Sequence, residues 1–366
     1  MLLTSSNRSK LGWFIGCAVL LAVLPFVVGS TLGNSWVRIV DFTLLYIMLA
    51  LGLNIVVGFA GLLDMGFIAF YAVGAYTYAL LSSPHFGLHL PFYITIPLGA
   101  LCAAGFGLLL GTPVLRLKGD YLAIVTLGFG EIIRIFMNNL NAPVNITNGP
   151  QGINLVDPIR IGGLSLGQSL HLGGLTIPSV YLHYYLFLFL SVAVVIMGTR
   201  LQQSRIGRAW VALREDDIAA AAMGINIRNV KLLAFALGAL SGGVAGGLFA
   251  SFQGFISPES FGLMESIMIL AMVVLGGMGH IPGVIVGAIV LTIAPEILRD
   301  VIGPLQMNTF GRMLIDPENA RQLLFGLALV IMMLVRPAGM WPSRRRAAEF
   351  ADAKAGAEVQ EGLNHG

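Results

Sequence analysis

Charge is what this chain has least of. Only 11% of its 366 residues are Asp, Glu, Lys or Arg, against roughly a quarter in soluble domains. A soluble surface cannot be covered with so few charges. Cysteine is nearly absent: Cys17 and Cys102 both fall inside apolar runs, which excludes a disulfide framework or a thiolate metal site. The 6 histidines are scattered without the spacing a metal site needs. The net charge of +3 offers no basic surface for nucleic acid. No Gly-x-x-x-x-Gly-Lys-Ser/Thr phosphate loop occurs, so any ATP used must be hydrolysed by another polypeptide. No nucleophile, acid pair or metal set is arranged for an enzyme.

What remains is apolar sequence. It makes up 57% of the chain, in blocks close to the ~20 residues a helix needs to cross ~30 Å of hydrocarbon. Spans are predicted at 11–29, 39–57, 62–81, 91–111, 121–138, 181–199, 232–253, 263–279, 282–301 and 320–336. The fold expected is an all-α polytopic membrane protein of about ten transmembrane helices. The weakest span is 62–81, which Asp64, Gly66 and Gly74 interrupt. The first, after Arg8 and Lys10, is longer than a usual secretory signal core and reads as retained.

Basic residues give the sidedness. Arg8, Lys10, Arg116, Lys118, Arg200, Arg205, Arg208, Arg214, Arg228, Lys231, Arg336 and Arg344–Arg346 fall on one side under a single parity, which makes that side cytoplasmic. Both termini are then cytoplasmic. The expected organisation is a transmembrane domain over 1–342, with an external loop at 139–180 and a cytoplasmic loop at 200–231. A disordered cytoplasmic tail follows over 343–366, its basic triplet resting on anionic lipid.

The cytoplasmic loop holds the most informative segment. Asp216 can cap a helix N-terminus, with Glu215 and Asp217 at the same favourable end of its dipole. Ala219 to Ala222 propagate the helix, and Gly224 suits the left-handed position after it. Barely two turns long, it cannot hold alone in water. Two readings fit: an interfacial helix anchored by Trp210, or a docking element for a soluble motor subunit.

The segment Arg208–Ile225, RAWVALREDDIAAAAMGI, resembles the cytoplasmic loop of the branched-chain amino acid ABC importer permeases. So do Leu115–Arg134, Gly61–Tyr76, Gln253–Phe261 and Val274–Gly279, and the resemblance runs from about Gly52 to Gly339. It departs at Asp64, where the family often has Ser or another small residue, and after Gly303. The resemblance implies an ABC importer permease that translocates Leu, Ile and Val across a bacterial inner membrane. It further implies a homologous second permease, two cytoplasmic ATPases that bind the ATP and Mg, and a periplasmic amino-acid-binding protein. This chain would hold no cofactor. The residues expected to couple to the ATPases are Arg214, Glu215, Asp216, Asp217, Ala220 and Gly224.

Within the apolar runs, Glu131 and Arg134 stand three residues apart on one helix face and can pair. An ionisable group at bilayer depth costs roughly 2.5–3.5 kcal/mol on insertion scales, so it faces a partner or a water-filled cavity. Structural pairing and a pathway role both fit these two, and Asp64 joins them as a pathway candidate. Gly238, Gly242 and Gly246, and likewise Gly279, Gly283 and Gly287, recur every four residues, a pattern that lets helix backbones approach closely. The rival function is an ion-coupled secondary transporter using Asp64, Glu131 or Glu296.

Overall fold

The computed structural model describes residues 5–341 except 116, 118, 173–174, 311–322, 324–325, 328–329, 333 and 337–338. Arg116, Lys118, Arg312, nearly half of the predicted 320–336 span, the basic triplet and the tail lie outside them. Eleven helices occur among the described residues: α1 Ser5–Thr31, α2 Asn34–Leu53, α3 Ile68–Leu81, α4 Phe92–Val114, α5 Asp120–Asn139, α6 Ser179–Gln203, α7 Arg205–Glu215, α8 Asp217–Ala222, α9 Ile227–Gln253, α10 Leu263–Gly276 and α11 Ile281–Phe310. A π-helical turn, Asn54–Phe59, extends α2.

The fold is mostly helical, but not all-α. The segment between α5 and α6 carries strands β1 Ile153–Asn154, β2 Arg160–Ile161, β3 Leu164–Ser165, β4 Leu170–Leu172 and β5 Leu175–Ile177. β2 pairs with β3, β4 with β5, and β1 with β6 (Phe255–Ile256) beyond α9. The Gly and Pro content that marked this segment as a loop also supplies its hairpin turns, as at Gly162 and Gly163, both with positive φ.

Helix boundaries follow local chemistry. Pro91 and Pro178 stand in extended conformation just before α4 and α6, where a missing N–H costs no hydrogen bond. Gly254 ends α9 in the left-handed conformation at φ 69°. α9 is the central helix, packing on α4, α3 and α2. Its small residues make this possible. A Cβ at Gly246 would strike the Tyr71 carbonyl, one at Gly243 would lie 2.8 Å from the Gly99 carbonyl, and one at Gly238 would lie 2.9 Å from that of Gly52. Gly242 meets Phe70 at 3.2 Å.

Gly283 and Gly287 of α11 abut the Gly276 and Met272 carbonyls of α10. Gly279 does not join their row. It lies in the turn before α11 at φ +83°, against the Gly58 carbonyl; the helix begins only at Ile281, so the four-residue spacing crosses a chain reversal.

Six helical segments among the described residues are long and apolar enough to cross a membrane: 34–59, 92–114, 179–203, 227–253, 258–276 and 281–300. The predicted 62–81 span fails as a continuous helix. α3 has 14 residues, about 21 Å at 1.5 Å per residue, and 60–67 is non-helical. α10 is also 14 residues long, extended by a 3-10 turn at Pro258–Phe261. α5 carries Asp120, Glu131 and Arg134 in its 20 residues and falls outside the six.

Candidate functional site

Two places gather the polar chemistry. At one end of the bundle, α7 and α8 form a bent pair. Ser204 caps α7 by accepting from Gly207 N at 3.2 Å. Asp216 breaks the pair with extended backbone and caps α8, its Oδ1 accepting from Ile218 N at 2.8 Å and Ala219 N at 3.1 Å. Asp217 lies in the first turn of α8, and Gly224 follows it at φ +83° with open space around it. Glu215 is a correction: it is the last residue of α7, not part of the α8 N-terminus, because Asp216 must leave helical geometry to act as a cap.

Arg214 also points differently from expectation. Its Nη1 donates to the Gly58 carbonyl at 2.8 Å, and its side chain covers Gly61, so it is tied to the end of α2 while remaining exposed. Trp210 is no interfacial anchor. It is fully buried, its Nε1 donates to the Val230 carbonyl at 2.9 Å, and its ring stacks on Phe59 at 6.5 Å. Ala220 is buried as well. The outward surface of α8 is instead Ile218 (75% exposed) and the Met223 that follows it (83%).

The second place is the non-helical stretch 60–67. Backbone outside a helix survives at membrane depth only where protein or a cavity satisfies it. Asp64 is fully buried; its Oδ1 accepts from Gly66 N at 2.9 Å, while its Oδ2 has no hydrogen-bond partner among the described residues. Met65 N donates to Thr126 Oγ1 at 3.0 Å, and Ser266 Oγ donates to Met65 O at 2.5 Å. Gly66 lies against the Thr126 carbonyl, with no room for a Cβ. One residue therefore ties the stretch to both α5 and α10.

Beside it, Arg134 holds Glu131: Nε donates at 3.0 and 3.1 Å, and Nη2 at 2.5 Å. Arg134 Nη1 also donates to Glu259 Oε1 at 3.1 Å, tying α5 to the turn before α10. Asp64 is not joined to this cluster by any hydrogen bond found here. Sequence reasoning missed Glu259, in the 3-10 turn before α10, and Asp41 of α2, a fully buried carboxylate whose two oxygens lack partners among the described residues. A lone acid within the 39–57 apolar run was the available signal. No cluster of metal-ligating side chains occurs among the described residues.

The chain is 42% identical over 353 residues to the high-affinity branched-chain amino acid transport system permease protein LivM of Escherichia coli K12, covering 93% of this chain and 77% of that one. It is 41% identical to LivM of Salmonella typhimurium LT2, covering 97% and 80%. The permease protein LivH of E. coli K12 matches at 26% identity, over 85% of this chain and 92% of that one. No solved structure matches. Residues 35–333 match the family model of the branched-chain amino acid transport system permease component, and the chain belongs to that family.

Proposed function

We propose that this chain is the LivM-type half of a two-permease, ATP-driven importer of Leu, Ile and Val in a bacterial inner membrane. Its identity to LivM proteins and its weaker likeness to LivH support a pair of related permeases. In this reading the Arg214 end is cytoplasmic, about ten spans cross the bilayer, and both termini are cytoplasmic. Two ATPase subunits bind ATP and Mg, and a periplasmic amino-acid-binding protein docks on the 139–180 loop.

One observation carries the coupling: α8 exposes Ile218 while Arg214, just before its cap, is bonded to the π-helical turn of α2. A helix of two turns with an apolar outward residue needs a partner to stabilise it. A pull on it reaches Gly58 and Gly279 through Arg214, and Phe59 of the same turn through Trp210. Closure of the ATPases would thus move the inner ends of α2 and α10, while Glu131 and Arg134 face the pathway between the permeases and Asp64 lies buried within this chain.

The test is co-purification and transport with the double variant Ile218→Asp, Met223→Asp. The ATPase subunits should be lost from the complex and ATP-dependent leucine uptake should stop, with the permease still folded. Normal association and uptake would sink the reading. Uptake without ATPases that tracked an ion gradient would favour a secondary carrier.

A further inference from the structure

We propose that the small cavity where α3, α5 and α10 meet is a subsite for the zwitterion of a branched-chain amino acid in transit. This rests on the importer reading above and names where the substrate sits. The cavity measures about 90 Å³ and is lined by Met65, Ile68, Leu127, Phe261 and Leu263, with Glu131 as its charged group. Apart from Glu131 its lining side chains are apolar, which suits the side chain of valine or leucine.

The polar groups beside it match the other end of an amino acid. Glu131 and Glu259 share the single guanidinium of Arg134, which leaves a formal excess of negative charge to receive an α-ammonium. Arg134 has five N–H donors. Its Nε is used, and each Nη is used once, so one N–H on each terminal nitrogen remains for a carboxylate. These side chains are not closed off: those of Arg134 and Glu131 are 23% and 39% exposed. Charged groups on a span, reachable from outside the chain, belong to a water-filled path or a subunit interface rather than to lipid.

The backbone supports the same location. α3 and α10 both begin here, each about 21 Å long at 14 residues, and Met65 lies in the non-helical stretch joining α2 to α3. Interrupted helices near the midplane are where transporters build binding sites, because the break frees backbone and space together.

The experiment uses the complete importer in proteoliposomes with photo-leucine, the diazirine analogue of leucine, followed by adduct mapping. Adducts are expected on Met65, Leu127, Phe261 or Leu263, and unlabelled leucine should suppress them. In parallel, Leu127→Phe fills the cavity and should lower the leucine-to-valine ratio of maximal uptake about tenfold, the order of effect of one methylene in an apolar pocket. Adducts confined elsewhere, or an unchanged ratio in an ATP-driven Leu127→Phe transporter, would overturn the subsite while leaving the importer standing. If Leu127→Phe fails to assemble, the adduct map of the unmodified protein decides alone. Wild-type complex without ATP-dependent uptake would instead bring down the importer reading, and the subsite with it.

Discussion

The Arg214 guanidinium and the Gly58 carbonyl, 156 residues apart in sequence, are hydrogen-bonded at 2.8 Å. Gly58 belongs to the π-helical turn that ends α2, and Gly279 N is held close by, donating to Asn54 Oδ1 at 2.8 Å. Three separate segments converge on one joint. π-turns recur at functional sites because their geometry leaves carbonyls free to bond elsewhere.

Arg214→Ala should therefore cut the joint without removing the outward face of α8. ATP hydrolysis by the assembled complex should continue, while leucine imported per ATP hydrolysed falls severalfold. A charge-assisted bond of this kind is worth about 1.5–3 kcal/mol, enough for that effect. An unaltered transport-to-hydrolysis ratio would show that force travels by another route.

Trp210→Phe should loosen α7 from α9. The substitution keeps most of the stack on Phe59 but leaves the Val230 carbonyl without its indole donor. Losing that bond costs about 0.5–1.5 kcal/mol, since the carbonyl keeps its place in the α9 helix. Limited proteolysis across residues 204–226 should quicken; cleavage at the wild-type rate would contradict this account of Trp210.

Gly246→Ala should destabilise the protein by about 1–3 kcal/mol, the usual cost of overpacking. Its new Cβ would meet backbone of α3 at Tyr71 and Ala75, and backbone cannot rotate away. Gly105→Ala is the matched control, since nothing lies within 4 Å of that position; helix propensity alone should stabilise it by up to about 1 kcal/mol. Thermal unfolding in detergent compares the two, and equal midpoints would refute the packing argument.

Asp41→Leu should leave the fold at least as stable. The carboxylate is buried and its oxygens have no hydrogen-bond partner among the described residues, so its removal relieves a desolvation cost of about 1–3 kcal/mol. A lower unfolding midpoint would reveal an interaction that holds Asp41 in place.

The helices from 11–29 to 282–301 were legible because each apolar run overlaps one helix among the described residues. The stretch 60–67 was not. Asp64 and Gly66 look like flaws in a span when seen alone, yet Thr126 and Ser266 supply the bonds that let this backbone leave the helix. Those partners lie 61 and 201 residues from Met65, beyond any local pattern. Gly279 misled for the same reason, since a fixed spacing cannot reveal that the chain reverses between its members.

Apolar run length and scarce charge, both local properties, were enough to establish a helical membrane protein, and the loop motifs were enough to name its family. Tertiary structure alone decided which face of α8 looks outward, that Trp210 turns inward and Arg214 bonds to Gly58, and that Glu131 shares Arg134 with Glu259. Burial and hydrogen bonding of those groups depend on segments brought together by packing, and one-dimensional periodicity carries no information about which distant segment will arrive.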